Sequence, residues 1–165
     1  GQYGGFSLLF EFRLTKGANN GVAIRSPLVD KRPAYEGTEI QILDNVGYPR
    51  KLRPTQYHGS IYDVVPAKRG ALRPVGQWNE QEIICHGRRI TVVVNDMVIL
   101  DADLDDIQDP VVLQKHVGLA RTGGHIGFLG HASRVEFRRI RIKILADNGS
   151  SASTQAGDEG LLPDH

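Results

Sequence analysis

Gly37-Thr38-Glu39-Ile40-Gln41-Ile42-Leu43-Asp44 is the stretch that decides how this chain folds. Its period is two. On an extended strand Ile40 and Ile42 point one way and Glu39 and Gln41 the other, so one face suits a core and its reverse suits water or a ligand. The same alternation runs through Leu8-Leu9-Phe10-Glu11-Phe12-Arg13-Leu14, with Phe10, Phe12 and Leu14 on one side and Glu11 and Arg13 on the other. It returns in Gly21-Val22-Ala23-Ile24-Arg25, with Val22 and Ile24 inward. Further strands are predicted at 60–65, 77–86, 89–94, 97–101, 116–121, 124–130 and 133–145. His86-Gly87-Arg88 and Asn95-Asp96 divide β-rich runs and read as hairpin turns. No 3.6-residue pattern lasts long enough for a helix of several turns.

Short strands divided by the turn signals of 19 glycines and 8 prolines predict an all-β domain, a two-sheet antiparallel jelly-roll sandwich. A length of 165 residues, 40% of them hydrophobic, is enough for one core. The domain is expected over residues 1–145. Beyond it the composition turns to Ser, Gly, Asp and Ala, so 146–165 reads as a flexible tail or linker. In the last strand the alternation slips at Arg138-Arg139, which predicts a bulge. Its basic residues form either a solvated outer face or a binding stripe.

Several function classes are excluded as expectations. A net charge of +1 gives no field to attract nucleic acid. No apolar run is long enough for a transmembrane helix. A single cysteine, Cys85, allows no intrachain disulfide, and its apolar neighbours Ile83 and Ile84 predict an inert buried thiol. Gly1-Gln2-Tyr3 reads as a mature or excised end, so it carries no information about a leader.

The polar face of the quoted strand is where chemistry is expected. If a bulge follows Ile42, Asp44 rejoins Glu39 and Gln41 on one face. Paired carboxyls are the equipment of glycoside cleavage. They also grip sugar hydroxyls in plain binding sites, and an ordinary outer face shows the same pattern. Glu11 and Arg25 are expected on that face too. A guanidinium there holds a sugar hydroxyl or keto oxygen, or else pairs with Glu39 or Glu11. Tyr62 either stacks on a sugar ring or caps the core. The long connections 26–37 and 45–59, the second with Tyr48, Tyr57 and His58, are where a β scaffold builds a site. His125, His131 and Glu39 lack the close spacing of metal ligands, so neither metal nor cofactor is expected.

The Glu39–Asp44 run resembles the active-site strand of laminarinase-type glycosidases, Glu-Ile-Asp-Ile-x-Glu. Gln41 stands for the middle aspartate and Asp44 for the last glutamate. Gln41 cannot ionise, so it cannot tune a neighbouring carboxylate as that aspartate would.

A closer resemblance spans residues 6–145. In order, its pieces are Phe10-Glu11-Phe12-Arg13-Leu14, Asn20-Gly21-Val22-Ala23-Ile24-Arg25, Gly37 through Asp44, Gly59-Ser60-Ile61-Tyr62, Gln77-Trp78-Asn79, Gly124-His125-Ile126-Gly127-Phe128-Leu129-Gly130-His131, and Val135 through Ile142. Together these resemble the 3-keto-disaccharide hydrolase domain family. Arg139 departs from a common Asn, Ala132 departs from a common Gly, and the family's usual opening stretch is missing. The resemblance implies a concanavalin A-like jelly roll acting on sugars oxidised at C3. It further implies a bacterial, secreted or periplasmic protein fused to or working beside other modules. It makes His131 a candidate base, since histidine suits proton transfer near neutral pH. Glu39 and Asp44 are then candidate acids, and Arg25, Gln41 and Tyr62 substrate contacts. Two rival readings use the same fold: a non-catalytic carbohydrate-binding module, and an interaction domain with no sugar site.

Overall fold

The computed structural model describes residues 1–28 and 32–146. The expected tail beyond Ala146 lies outside the described residues. Eight strands form: β1 (Phe6–Leu14), β2 (Asn19–Ser26), β3 (Thr38–Leu43), β4 (Trp78–His86), β5 (Arg89–Val94), β6 (Met97–Asp103), β7 (His125–Leu129) and β8 (Val135–Ile144). A five-stranded antiparallel sheet, in the order β6-β5-β4-β1-β8, packs on a three-stranded one in the order β3-β2-β7. This is the two-sheet jelly-roll sandwich that the alternation predicts. Two short helices, α1 (Pro33–Glu36) and α2 (Pro110–Lys115), sit in connections. Among the described residues no helix is long and apolar enough to cross a membrane.

The core follows from the period of two. Phe6, Leu8, Phe10, Phe12 and Leu14 bury every second side chain of β1. From the three-stranded sheet Val22, Ile24, Ile40 and Ile42 meet them, each at 0% exposure. His58 is the polar member of this core. Its Nδ1 accepts the Leu43 N–H (3.1 Å), its Nε2–H donates to Gln81 Oε1 (2.7 Å), and its ring stacks on Phe12 at 5.0 Å. Burial holds its pKa down to about 4 against the opposing pull of Gln81, so the ring is neutral in the tautomer its partners require. Cys85 is fully buried, and burial pushes its thiol up to about 12.

Two predicted strands are not strands. At 60–65, Ile61 bridges Ile40, but the Val64 and Val65 N–H groups both donate back to the Ile61 carbonyl and close a turn. At 116–121 the chain makes a 3₁₀ turn, Val117–Ala120. There Gly118 rests on the backbone of Glu36 and Gly37, where a Cβ would collide. The predicted bulge in β8 is present, with Arg139 in a left-handed conformation (φ 52). Its basic residues are partly neutralised on the outer face of the large sheet: Arg138 pairs with Glu11 and lies 3.8 Å over Trp78, and Arg13 pairs with Glu136. Glu11 therefore sits on a different sheet from Glu39. The two alternations are each legible, but their assignment to a common face was not.

The fold rests on the β1 aromatics. Phe12→Ala should lower unfolding free energy by about 3–5 kcal/mol, the usual range for truncating a buried aromatic. Denaturant melts followed by circular dichroism measure it, and a loss under about 1 kcal/mol would contradict this core.

Candidate functional site

The site is built on the face of the small sheet that turns away from the core. With Ile40 and Ile42 buried, β3 must present Glu39 and Gln41 outward. Their neighbours in register are small: Ala23 beside Glu39 and Gly21 beside Gln41. Gly127 follows beyond Ala23, with open space where its Cβ would be. On this side of the sheet lies a cavity of about 600 Å³, which Glu39, Gln41, Tyr62 and His131 help to line. Both long connections contribute walls, the first through Arg32, Pro33, Ala34 and Tyr35 and the second through Tyr48, Arg50, Leu52 and Gln56.

Glu39 is the electrostatic centre. Desolvation raises its pKa from the ordinary 4.5 to about 7. Among the described residues no cation pairs with it. Gly21 makes its position possible, because a Cβ there would stand in the Glu39 carboxyl. Gln41, 3% exposed, donates from Nε2 to the Gln56 carbonyl (3.0 Å) and so fixes its amide beside the cavity. The Tyr62 N–H donates to the Glu39 carbonyl (2.9 Å), and both residues line the cavity. His131 is exposed, just beyond β7. Its loop is tied to β2 through Ser133, whose hydroxyl accepts the Asn19 N–H (2.9 Å) and lies 2.8 Å from Asn20 Oδ1.

Two expected site residues lie elsewhere. Arg25 adopts a left-handed conformation (φ 48) at a register break in β2, which turns its side chain inward. The guanidinium is 2% exposed and donates to the Gly4 carbonyl (3.0 Å) and the Gly87 carbonyl (2.7 Å), tying the two sheets at one end. It does not line the cavity. Asp44 does not return to the Glu39 face either. Its carboxylate is consumed by the N–H groups of Gly17, Val46 and Gly47, so it organises the turn after β3. It borders a second cavity, beside Tyr57 and Arg69.

Sequence reasoning passed over the α1 wall. Tyr35 stacks on His116 at 4.8 Å and carries the Arg32 guanidinium at 4.4 Å. His116 is held between the Ala34 carbonyl (3.2 Å) and Asp63 (2.9 Å). Asp63 is partly desolvated, but hydrogen bonds from Lys115 and His116 hold its carboxyl below the usual range. An aromatic between Pro33 and Gly37 in a long loop was the available signal for Tyr35. Its partners are distant in sequence and gave none. Among the described residues no three His, Cys, Asp or Glu side chains converge as metal ligands do.

The two antiparallel sheets and the cavity on the outer face of the smaller one define a jelly-roll domain with a candidate site on one sheet. Residues 1–143 match the 3-keto-alpha-glucoside-1,2-lyase-like domain, and the chain belongs to that family. A 3-keto-disaccharide hydrolase of Bacteroides thetaiotaomicron is 30% identical over 169 residues, covering 85% of this chain. The chain spans only 58% of the length of that relative. A solved structure of a candidate glycosyl hydrolase from Parabacteroides distasonis superposes with a TM-score of 0.76 at 28% identity, covering 88% of this chain and 80% of that one. The carbohydrate-binding module CBM66 of Bacillus subtilis shares the fold, with a TM-score of 0.56 at 12% identity over 87% of this chain and 77% of its own.

The raised pKa of Glu39 has a consequence for stability. A carboxyl with a folded-state pKa above its unfolded value binds more protons when folded, so stability falls as pH rises from about 4.5 to about 7 and then levels. Glu39→Gln removes that penalty. The variant should match wild type at pH 4 and exceed it by about 3 kcal/mol at pH 8. Paired denaturant titrations measure the difference, in which other titrating groups cancel; a pH-independent difference would rule out a buried acid.

Proposed function

We propose that this domain cleaves 3-keto-glycosides by elimination followed by hydration. A ketone at C3 acidifies the C2 proton. His131 removes that proton, and the electrons pass to the C3 oxygen as an enolate. The enolate collapses, the C1–O bond breaks, and Glu39 in its protonated form gives its proton to the departing oxygen. Water then adds across C1=C2, with hydroxide at C1 and the proton at C2, so the sum is hydrolysis. Gln41 and Tyr62 hold hydroxyls or the enolate oxygen. No step needs a carboxylate nucleophile, which agrees with Gln41 and with the removal of Asp44 from the cavity.

The observation that carries this reading is the desolvated, cation-free Glu39 carboxyl, whose pKa of about 7 suits a general acid at neutral pH. The family membership and the 3-keto-disaccharide hydrolase relative support the substrate class.

The test is incubation with a 3-keto-disaccharide and product analysis by mass spectrometry. His131→Ala should cut turnover by about 10² to 10⁴, the usual cost of losing a general base, while substrate binding survives. Glu39→Gln should do likewise, and wild-type turnover should fall as pH rises through about 7, where the acid loses its proton. Unchanged turnover in both variants would refute this site. Sugar binding without turnover, weakened by Glu39→Gln, would favour a carbohydrate-binding module instead.

A further inference from the structure

The charges that line the cavity are distributed unevenly. Arg32 and Arg50 are its cationic members, with His131 at its edge. Glu39 is its one carboxyl among the described residues, and burial leaves that group about half protonated at neutral pH. Neither guanidinium makes an ion pair with Glu39, or with any other carboxylate among the described residues. Both arginines are exposed, so they have not been withdrawn into the fold as Arg25 has. Arg53, by contrast, is neutralised by Asp63 (3.2 Å).

Arg32 is also oriented. Its guanidinium lies against the Tyr35 ring, and that ring is pinned from below by His116, which Asp63 and the Ala34 carbonyl hold. A stacked guanidinium keeps its N–H edge free for hydrogen bonding in the plane of the fork, the geometry that grips two oxygens of an oxyanion. A neutral sugar offers such a fork only hydroxyls. An ester sulfate, a phosphate or a uronic carboxylate offers paired oxygens and a full charge.

We propose that the glycoside taken by this cavity carries an oxyanion away from the scissile bond, and that Arg32 and Arg50 bind it and set specificity for charged over neutral sugars. This rests on the reading of the cavity as a sugar site. It leaves the acid and base untouched, because the two arginines belong to the loop walls and Glu39 to the sheet.

Isothermal titration with three probes tests it: a neutral 3-keto-disaccharide, the same 3-keto-disaccharide ending in a uronic acid, and its 6-phosphate. At low salt, wild type should bind at least one anionic probe about tenfold more tightly than the neutral one, the scale of one good charge-assisted contact. The preference should shrink as salt rises. It should vanish in the Arg32→Ala/Arg50→Ala double variant, while the neutral probe still binds and the melting temperature confirms the fold. The two anionic arms show whether a carboxylate or a phosphate is preferred. Equal affinity for all three probes, or a preference that survives the double substitution, would overturn the proposal while the sugar site stood. Binding of no saccharide would overturn both.

Discussion

The contact of Val22, Ile24, Ile40 and Ile42 with the β1 aromatics joins the small sheet to the large one. Nearly everything about the site depends on it. Because side chains alternate along a strand, burying Ile40 and Ile42 forces Glu39 and Gln41 to the far face. A slip of one residue would send both polar groups into the core and two isoleucines into the cavity. Hydrophobic burial thus sets the site's orientation before any polar interaction acts. His58 reinforces that register, since it receives the Leu43 N–H at the end of β3 and reaches Gln81 on β4.

The polar groups divide according to how their burial is compensated. His58 and Asp44 are buried and satisfied by hydrogen bonds, and they serve shape. Asp63 is compensated by the surrounding cations Lys115 and Arg53 together with His116, and that cluster braces α1 as a wall. Glu39 has neither kind of compensation, so the cost of its burial appears as a shifted protonation equilibrium. Such a shift marks Glu39 as a candidate functional carboxyl.

The fold was legible because its governing signal is local and periodic. Each of the strands through Phe10, Val22 and Ile40 announces its own buried face within a few residues. Glu39 and Gln41 could be placed on one outward face for the same reason, since β3 carries both. Tyr62 reaches the cavity from a turn and not from the strand expected at 60–65. Arg25 was misplaced because alternation assumes extended backbone, and a left-handed residue reverses it. Asp44 was misplaced because a short carboxylate after a strand is drawn to the backbone N–H groups of the following turn. Pairing alone cannot say which sheet a strand joins, so Glu11 was assigned to the wrong one. The α1 wall depends on Asp63 and His116, far from Tyr35 in sequence, and no local pattern encodes that meeting.

Sheet and loops consequently have separate tasks. The sheet supplies Glu39 and Gln41 at positions set by the core, so their geometry can vary little without loss of the fold. The loops supply the tyrosines, the arginines and His131 around them, and those loop positions that take no part in the chemistry are the freer to change. Gly21 shows the constraint on the first group most clearly, since even one methyl there would displace the Glu39 carboxyl. Arg32 and Arg50 show the freedom of the second, because both are exposed. Under the proposed function, reaction type therefore depends on β3 together with His131, and the choice of sugar on the two long connections.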